Sequence, residues 1–182
     1  MFARTERLLL RPGWREDAPA LSHAIGDEAV VRNLATAPWP YALGDAERFL
    51  AQEPSRRLPN MLITARTAGA PRIVGGIGLG TDPDGTIEFG YWIARPYWGL
   101  GFATEAGQAV LAMARHSLRL CELAAWHYLD NPASGNVLRK LGFKPSGRVE
   151  TRHSAGRGRE DACAHYAIDL MAEVEEPARM AA

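Results

Sequence analysis

Residues 96–106 read PYWGLGFATEA. Gly99 and Gly101 stand two apart, and a helix-forming run opens directly behind them. The first N–H groups of a helix have no partner within it, and the helix dipole favours negative charge at that end. Glycine lets a bulky phosphate approach the main chain. The stretch therefore points to an anion site at a helix N-terminus. It is no Walker A loop, since no Gly-Lys-Ser/Thr follows. It is no dinucleotide fingerprint either, since position 104 is threonine and no βαβ unit with an acidic ribose partner follows. On the loop alone, a plain tight turn from strand to helix is an equal reading.

Working outward, TIEFGYWIA (86–94) reads as the strand feeding this loop, and RIVGGIGLG (72–80) as its hairpin partner across the turn DPDG (82–85). Behind the loop, Phe102, Ala106, Ala109, Val110 and Met113 recur at helical spacing and are expected to face a core. CELAAWHYL (121–129) is a strand. NPASGNVLRKLG (131–142) is a short helix, with Asn131 as N-cap, Pro132 in first position and Gly142 as C-terminal cap. FKPSGRVETR and EDACAHYAIDL are two further strands. Toward the N-terminus, ERLLLRP and NMLITART are strands. Between them lie one or two helices broken near Gly26, a Pro-rich loop around Trp39, and a short helix over DAERFLAQE. Strands and helices are mixed, with a largely antiparallel first half, so the fold class is α/β or α+β built on one sheet with helices packed against it.

The chain has 182 residues, with 21 Lys plus Arg against 21 Asp plus Glu. That length fits one domain, expected over residues 5–171 with a loose tail over 172–182. The net charge of zero gives no argument for nucleic acid as a direct partner. Cys121 and Cys163 show no metal-ligand spacing, and both lie in apolar runs that predict buried free thiols, which suits a cytoplasmic setting. No stretch approaches the ~20 apolar residues of a membrane span.

TIEFGYWIARPYWGLGFATEA, followed by NPASGNVLRKLGF, resembles the GNAT N-acetyltransferases. More narrowly it resembles the RimJ/RimL branch, whose founding members acetylate the N-termini of ribosomal proteins. TERLLLRP also matches that branch's opening, and the resemblance runs from about Thr5 to Leu170. In the wider superfamily the loop usually begins with Gln or Arg. Pro96 stands there in this chain, as in the branch's loops of the type P-x-x-W-G-x-G-x-A-T-E-A.

The resemblance implies a twisted, mostly antiparallel sheet of about six to seven strands flanked by about four helices. It implies acetyl-CoA as co-substrate, no metal, and acetyl transfer to a primary amine by direct attack in a ternary complex. The acceptor is a protein N-terminus or a small amine, and homodimers are frequent in the family. The diphosphate would be held by main-chain N–H groups of Trp98, Gly99, Leu100, Gly101, Phe102 and Ala103, with Thr104 bonding locally or to phosphate. The pantetheine arm would run in a splay between the 86–94 and 121–129 strands, pairing with the backbone of Trp92 and Ile93. Asn131 and Asn136 are further cofactor contacts, although Asn131 equally serves as a cap.

Alternation puts Glu88, Gly90 and Trp92 on one strand face. Glu88 is the candidate base for the attacking amine, or else an exposed strand carboxylate without a role. Ser134 is the candidate to assist the departing sulfur, or a first-turn serine bonding its own backbone. Tyr128 ranks below it for that task. Glu105, in the first helical turn, reads as structural rather than catalytic. The competing class is a non-catalytic acyl-CoA sensor or interaction module that keeps the glycine loop.

Overall fold

The computed structural model describes residues 1–53, 55, 57–67 and 69–172. Beyond Ala172, the expected tail lies outside the described residues.

Among the described residues, eight strands form one sheet in the order β1-β2-β3-β4-β5-β6-β8-β7. They are β1 (Ala3–Arg4), β2 (Leu8–Arg11), β3 (Asn60–Ala65), β4 (Arg72–Thr81), β5 (Ile87–Ile93), β6 (Glu122–Tyr128), β7 (Lys144–Ser154) and β8 (Arg159–Asp169). The α-helices are α1 (Ala18–Ile25), α2 (Glu28–Val31), α3 (Leu43–Ala51), α4 (Phe102–His116) and α5 (Pro132–Lys140). Every strand pair is antiparallel except β5–β6.

Side-chain alternation gives the sheet two working faces. On β3, Met61, Ile63 and Ala65 join Leu8, Val74, Phe89 and Leu123 in the main core under α4 and α5, whereas Leu62 turns to the opposite face and packs with Leu21 of α1 and Ala46 of α3. The helical spacing read behind the glycine loop meets the core as expected. Ala106 and Val110 are fully buried, and Phe102, Ala109 and Met113 pack half-buried around them.

One strand exceeds the sequence expectation. The two-residue β1 closes a hairpin on β2, with Ala3 opposite Leu10. It is too short to carry a periodic signal. Of the one or two helices expected around Gly26 there are two, because Asp27 caps a fresh start: its side chain accepts from the Ala29 N–H at 2.9 Å. A further difference concerns the thiols. Cys163 is buried in β8, but Cys121 is exposed. It precedes the first residue of β6, and its carbonyl accepts from the Leu170 N–H at 2.7 Å. The apolar run it opens therefore enters the core two residues later, at Leu123.

The feature that positions the site is the junction of β5 and β6. These strands pair in parallel at a single register, Glu88 opposite Ala124. Beyond it they diverge, and α4 begins at the mouth of the gap.

Candidate active site

Gly99 and Gly101 have φ of 76° and 79°, in the left-handed region where a Cβ is disfavoured. Space is not what demands glycine: a Cβ at Gly99 would meet nothing within 4 Å, and one at Gly101 would come no nearer than 3.5 Å to the Arg7 guanidinium. The left-handed turns aim successive amides at one point. Among the described residues, the N–H groups of Gly99, Leu100, Gly101, Phe102, Ala103 and Thr104 meet no acceptor, and the first bond of α4 runs from the Glu105 N–H to the Gly101 carbonyl at 3.0 Å. Such a nest, with the dipole of a 15-residue helix behind it, fits a diphosphate. Trp98 differs from its neighbours in this run. Its N–H donates to the Arg95 carbonyl at 3.2 Å, and its indole N–H donates to the Ile93 carbonyl at 2.6 Å.

Glu105 locks the nest to the first hairpin. Its carboxylate accepts from the Thr5 hydroxyl at 2.6 Å, the Arg7 amide at 2.9 Å and Arg7 Nε at 2.7 Å. The same Arg7 donates to the Leu100 carbonyl at 3.0 Å. Burial pushes the Glu105 carboxyl up, but the bonds from Thr5 and Arg7 outweigh it and hold the group below the usual range.

Ala94 N–H donates to the Val74 carbonyl at 2.9 Å. Alternation then turns the amide of Trp92 toward β4, where it faces Gly76, and those of Tyr91 and Ile93 into the splay. Of the two residues expected to pair with a pantetheine arm, Ile93 presents its main chain there. Trp92 instead turns its indole over Gly76, against the Leu21–Ala46–Leu62 cluster on the α1–α3 face.

The cleft under the loop has a volume of about 550 Å³. Ser134 and Glu88 lie on its two sides. The Tyr91 hydroxyl donates to Ser134 Oγ at 3.0 Å. Tyr91 is largely buried, and burial pushes its hydroxyl up to about 12 against a smaller opposing effect of the Ser134 bond, so it stays protonated. Asn131 caps α5, its side chain accepting from the Ser134 N–H at 3.4 Å. Asn136 lines the cleft and its side-chain oxygen accepts from Arg139. Tyr128 donates its hydroxyl to the His153 carbonyl at 3.1 Å, which commits it to the β7 backbone.

Glu88 is not free. Its Oε1 accepts from Trp126 Nε1 at 2.7 Å and from Arg152 at 2.6 Å, and Oε2 accepts from Arg152 at 3.2 Å. Arg152 also pairs with Asp82 at 2.7 Å and lies 4.3 Å over the Trp126 ring. Two carboxylates share one guanidinium, which leaves the cluster one negative charge in excess. Tyr91, Trp126 and Arg152 escape sequence reasoning. Tyr91 alternates with Phe89 and Ile93 and reads as core, and nothing local to Arg152 on β7 foretells a partner on β5.

Residues 7–144 match the model of the GNAT acetyltransferase domain. This chain belongs to the GNAT acetyltransferases. It is 28% identical over 150 residues to the uncharacterized N-acetyltransferase YoaA of Bacillus subtilis (strain 168), covering 79% of this chain and 82% of that protein. The fold of this GNAT chain superposes on a GNAT-family acetyltransferase from Bacillus anthracis with a TM-score of 0.79, at 24% identity, over 93% of this chain and 99% of that one. It also superposes on the RimL ribosomal L7/L12 α-N-protein acetyltransferase in complex with coenzyme A, with a TM-score of 0.74 at 17% identity, over 93% and 98% of the two chains. Among the described residues of this acetyltransferase, no helix is long and apolar enough to cross a membrane.

Proposed function

We propose that this GNAT chain transfers acetyl from acetyl-CoA to a primary amine, a small molecule or a protein N-terminus, by direct attack while both are bound. The observation that carries the reading is the nest of partnerless amides from Gly99 to Thr104, placed at the mouth of the β5–β6 splay. These amides would hold the diphosphate, and the Ile93 main chain would meet the pantetheine. The thioester supplies the activated acetyl group.

Three tasks then fall to the chain. The attacking amine must shed a proton, because an ammonium has no lone pair. A carboxylate offers about four acceptor sites, and Trp126 and Arg152 occupy three of those on Glu88. The remaining one takes the proton through a relayed water, and the excess negative charge of the Asp82–Arg152–Glu88 cluster attracts the ammonium beforehand. The Ile93 N–H, facing the splay, stabilises the oxygen on which charge develops. Ser134 keeps its own proton for the departing sulfur, because the Tyr91 hydroxyl already donates to its oxygen.

An amine panel with mass detection of products, combined with thiol release from acetyl-CoA, tests the reading. Acetylated product with matching free coenzyme A is the expected result. Tight acetyl-CoA binding without any acetylated amine would favour a sensor.

A further inference from the structure

A second cavity, of about 480 Å³, lies on the α1–α3 face of the sheet. It shares Leu34, Ala35, Gly90, Tyr91 and Trp92 with the reaction cleft. The two lobes thus meet over β5, beneath the Leu34–Ala35 segment. On this face the strand presents Glu88, Gly90 and Trp92 in succession. Gly90 has no unusual backbone conformation, and a Cβ built there would meet nothing within 4 Å. Gly90 thus leaves the strand surface bare where the two lobes meet. Beyond it, Leu21, Tyr41, Phe49, Leu62 and Trp92 make the second lobe predominantly apolar. Among the described residues, the charged groups lining it are Asp45 and Arg48, which are paired with each other.

We infer that the second lobe receives the body of the acceptor, that this body is apolar, and that Gly90 is the specificity-determining residue over which its amine reaches Glu88. The inference rests on the reading of the chain as an amine acetyltransferase. The physical grounds are continuity and polarity. An ammonium gains from the acidic cluster at one end of the passage, while an apolar group is removed from water at the other. A polar body would lose its hydration in the lobe and find few partners.

The test uses the full chain and three acceptors with similar amines, 2-phenylethylamine, octylamine and ethanolamine. Wild-type kcat/KM is expected to favour the two apolar amines by roughly tenfold or more, the scale on which small changes in an apolar pocket act. Gly90→Val erases that preference by narrowing the passage, whereas Gly69→Val keeps it. Gly69 is equally open, precedes β4 and belongs to neither lobe. Calorimetry of 2-phenylethylamine with coenzyme A-loaded protein gives a readout independent of turnover. If 2-phenylethylamine binds and Gly90→Val abolishes the binding, yet no amine is acetylated, the lobe assignment stands and the acetyltransferase reading falls. Three results would overturn the lobe assignment: ethanolamine acetylated as well as the apolar amines, no measurable binding of 2-phenylethylamine, or a Gly90→Val variant that keeps both selectivity and binding.

Discussion

The Tyr91 hydroxyl reaches across the cleft from β5 to donate to Ser134 Oγ on α5 at 3.0 Å. The bond fixes more than the position of α5. A hydroxyl that already accepts directs its own proton elsewhere, and the open direction is the cleft. Ser134→Ala is expected to lower kcat by roughly 10²-fold, the lower end of what a positioned proton donor contributes. Tyr91→Phe removes only the orienting bond and costs roughly tenfold. Steady-state kinetics at saturating acetyl-CoA measure both, and an unchanged kcat in Ser134→Ala would remove the serine from the chemistry.

Glu88 and Arg152 act as a pair. Glu88→Gln is expected to lower turnover near neutral pH while leaving acetyl-CoA affinity unchanged. The deficit shrinks as pH rises, because the acceptor amine then deprotonates without help. A deficit that stays constant across the pH profile would mean that Glu88 takes no proton. Arg152→Gln leaves the cluster with two unopposed carboxylates, so KM for a cationic amine is expected to fall while the Ki of a neutral analogue stays unchanged.

The left-handed turn at Gly101 makes a further prediction. A branched residue there carries a strain of roughly 1–2 kcal/mol. The free loop relieves it by relaxing, and the cofactor must then restore the turn. Gly101→Val is therefore expected to weaken coenzyme A binding by about tenfold or more, read by calorimetry. Retained affinity would place the diphosphate elsewhere.

Glu105 links stability to pH. Its carboxyl is held below the usual range in the folded state, despite burial, by Thr5 and Arg7. A depressed folded value means that the stabilisation is complete above the unfolded value and is lost as pH falls through the folded one. Glu105→Gln is expected to cost on the order of 1–2 kcal/mol at neutral pH. The gap to the wild type should close in acid well below the ordinary carboxylate range. Denaturant unfolding of both proteins at the two pH values measures it, and a gap independent of pH would show that the charge contributes nothing.

The Gly26 break, the Asn131 cap and the apolar spacing of α4 were legible in the sequence, because each is a property of a few neighbouring residues. Three other features were not. β1 was too short to read. Cys121 looked buried because it adjoins an apolar strand. Tyr91 carries no signal in its own segment that sets its hydroxyl against Ser134 across the cleft.

By itself, the sequence determined the order of the elements from β2 onward and the left-handed glycine turns before α4. Backbone conformation, capping and periodicity are local, and the glycines at 99 and 101 carry the required left-handed turns within the loop itself. Only the tertiary structure decided what surrounds Glu88. Arg152 comes from a strand 64 residues away in the chain, and Ser134 meets Tyr91 across the splay. Whether a carboxylate stands free or shares a guanidinium depends on which strands the sheet brings together, and no local pattern encodes that.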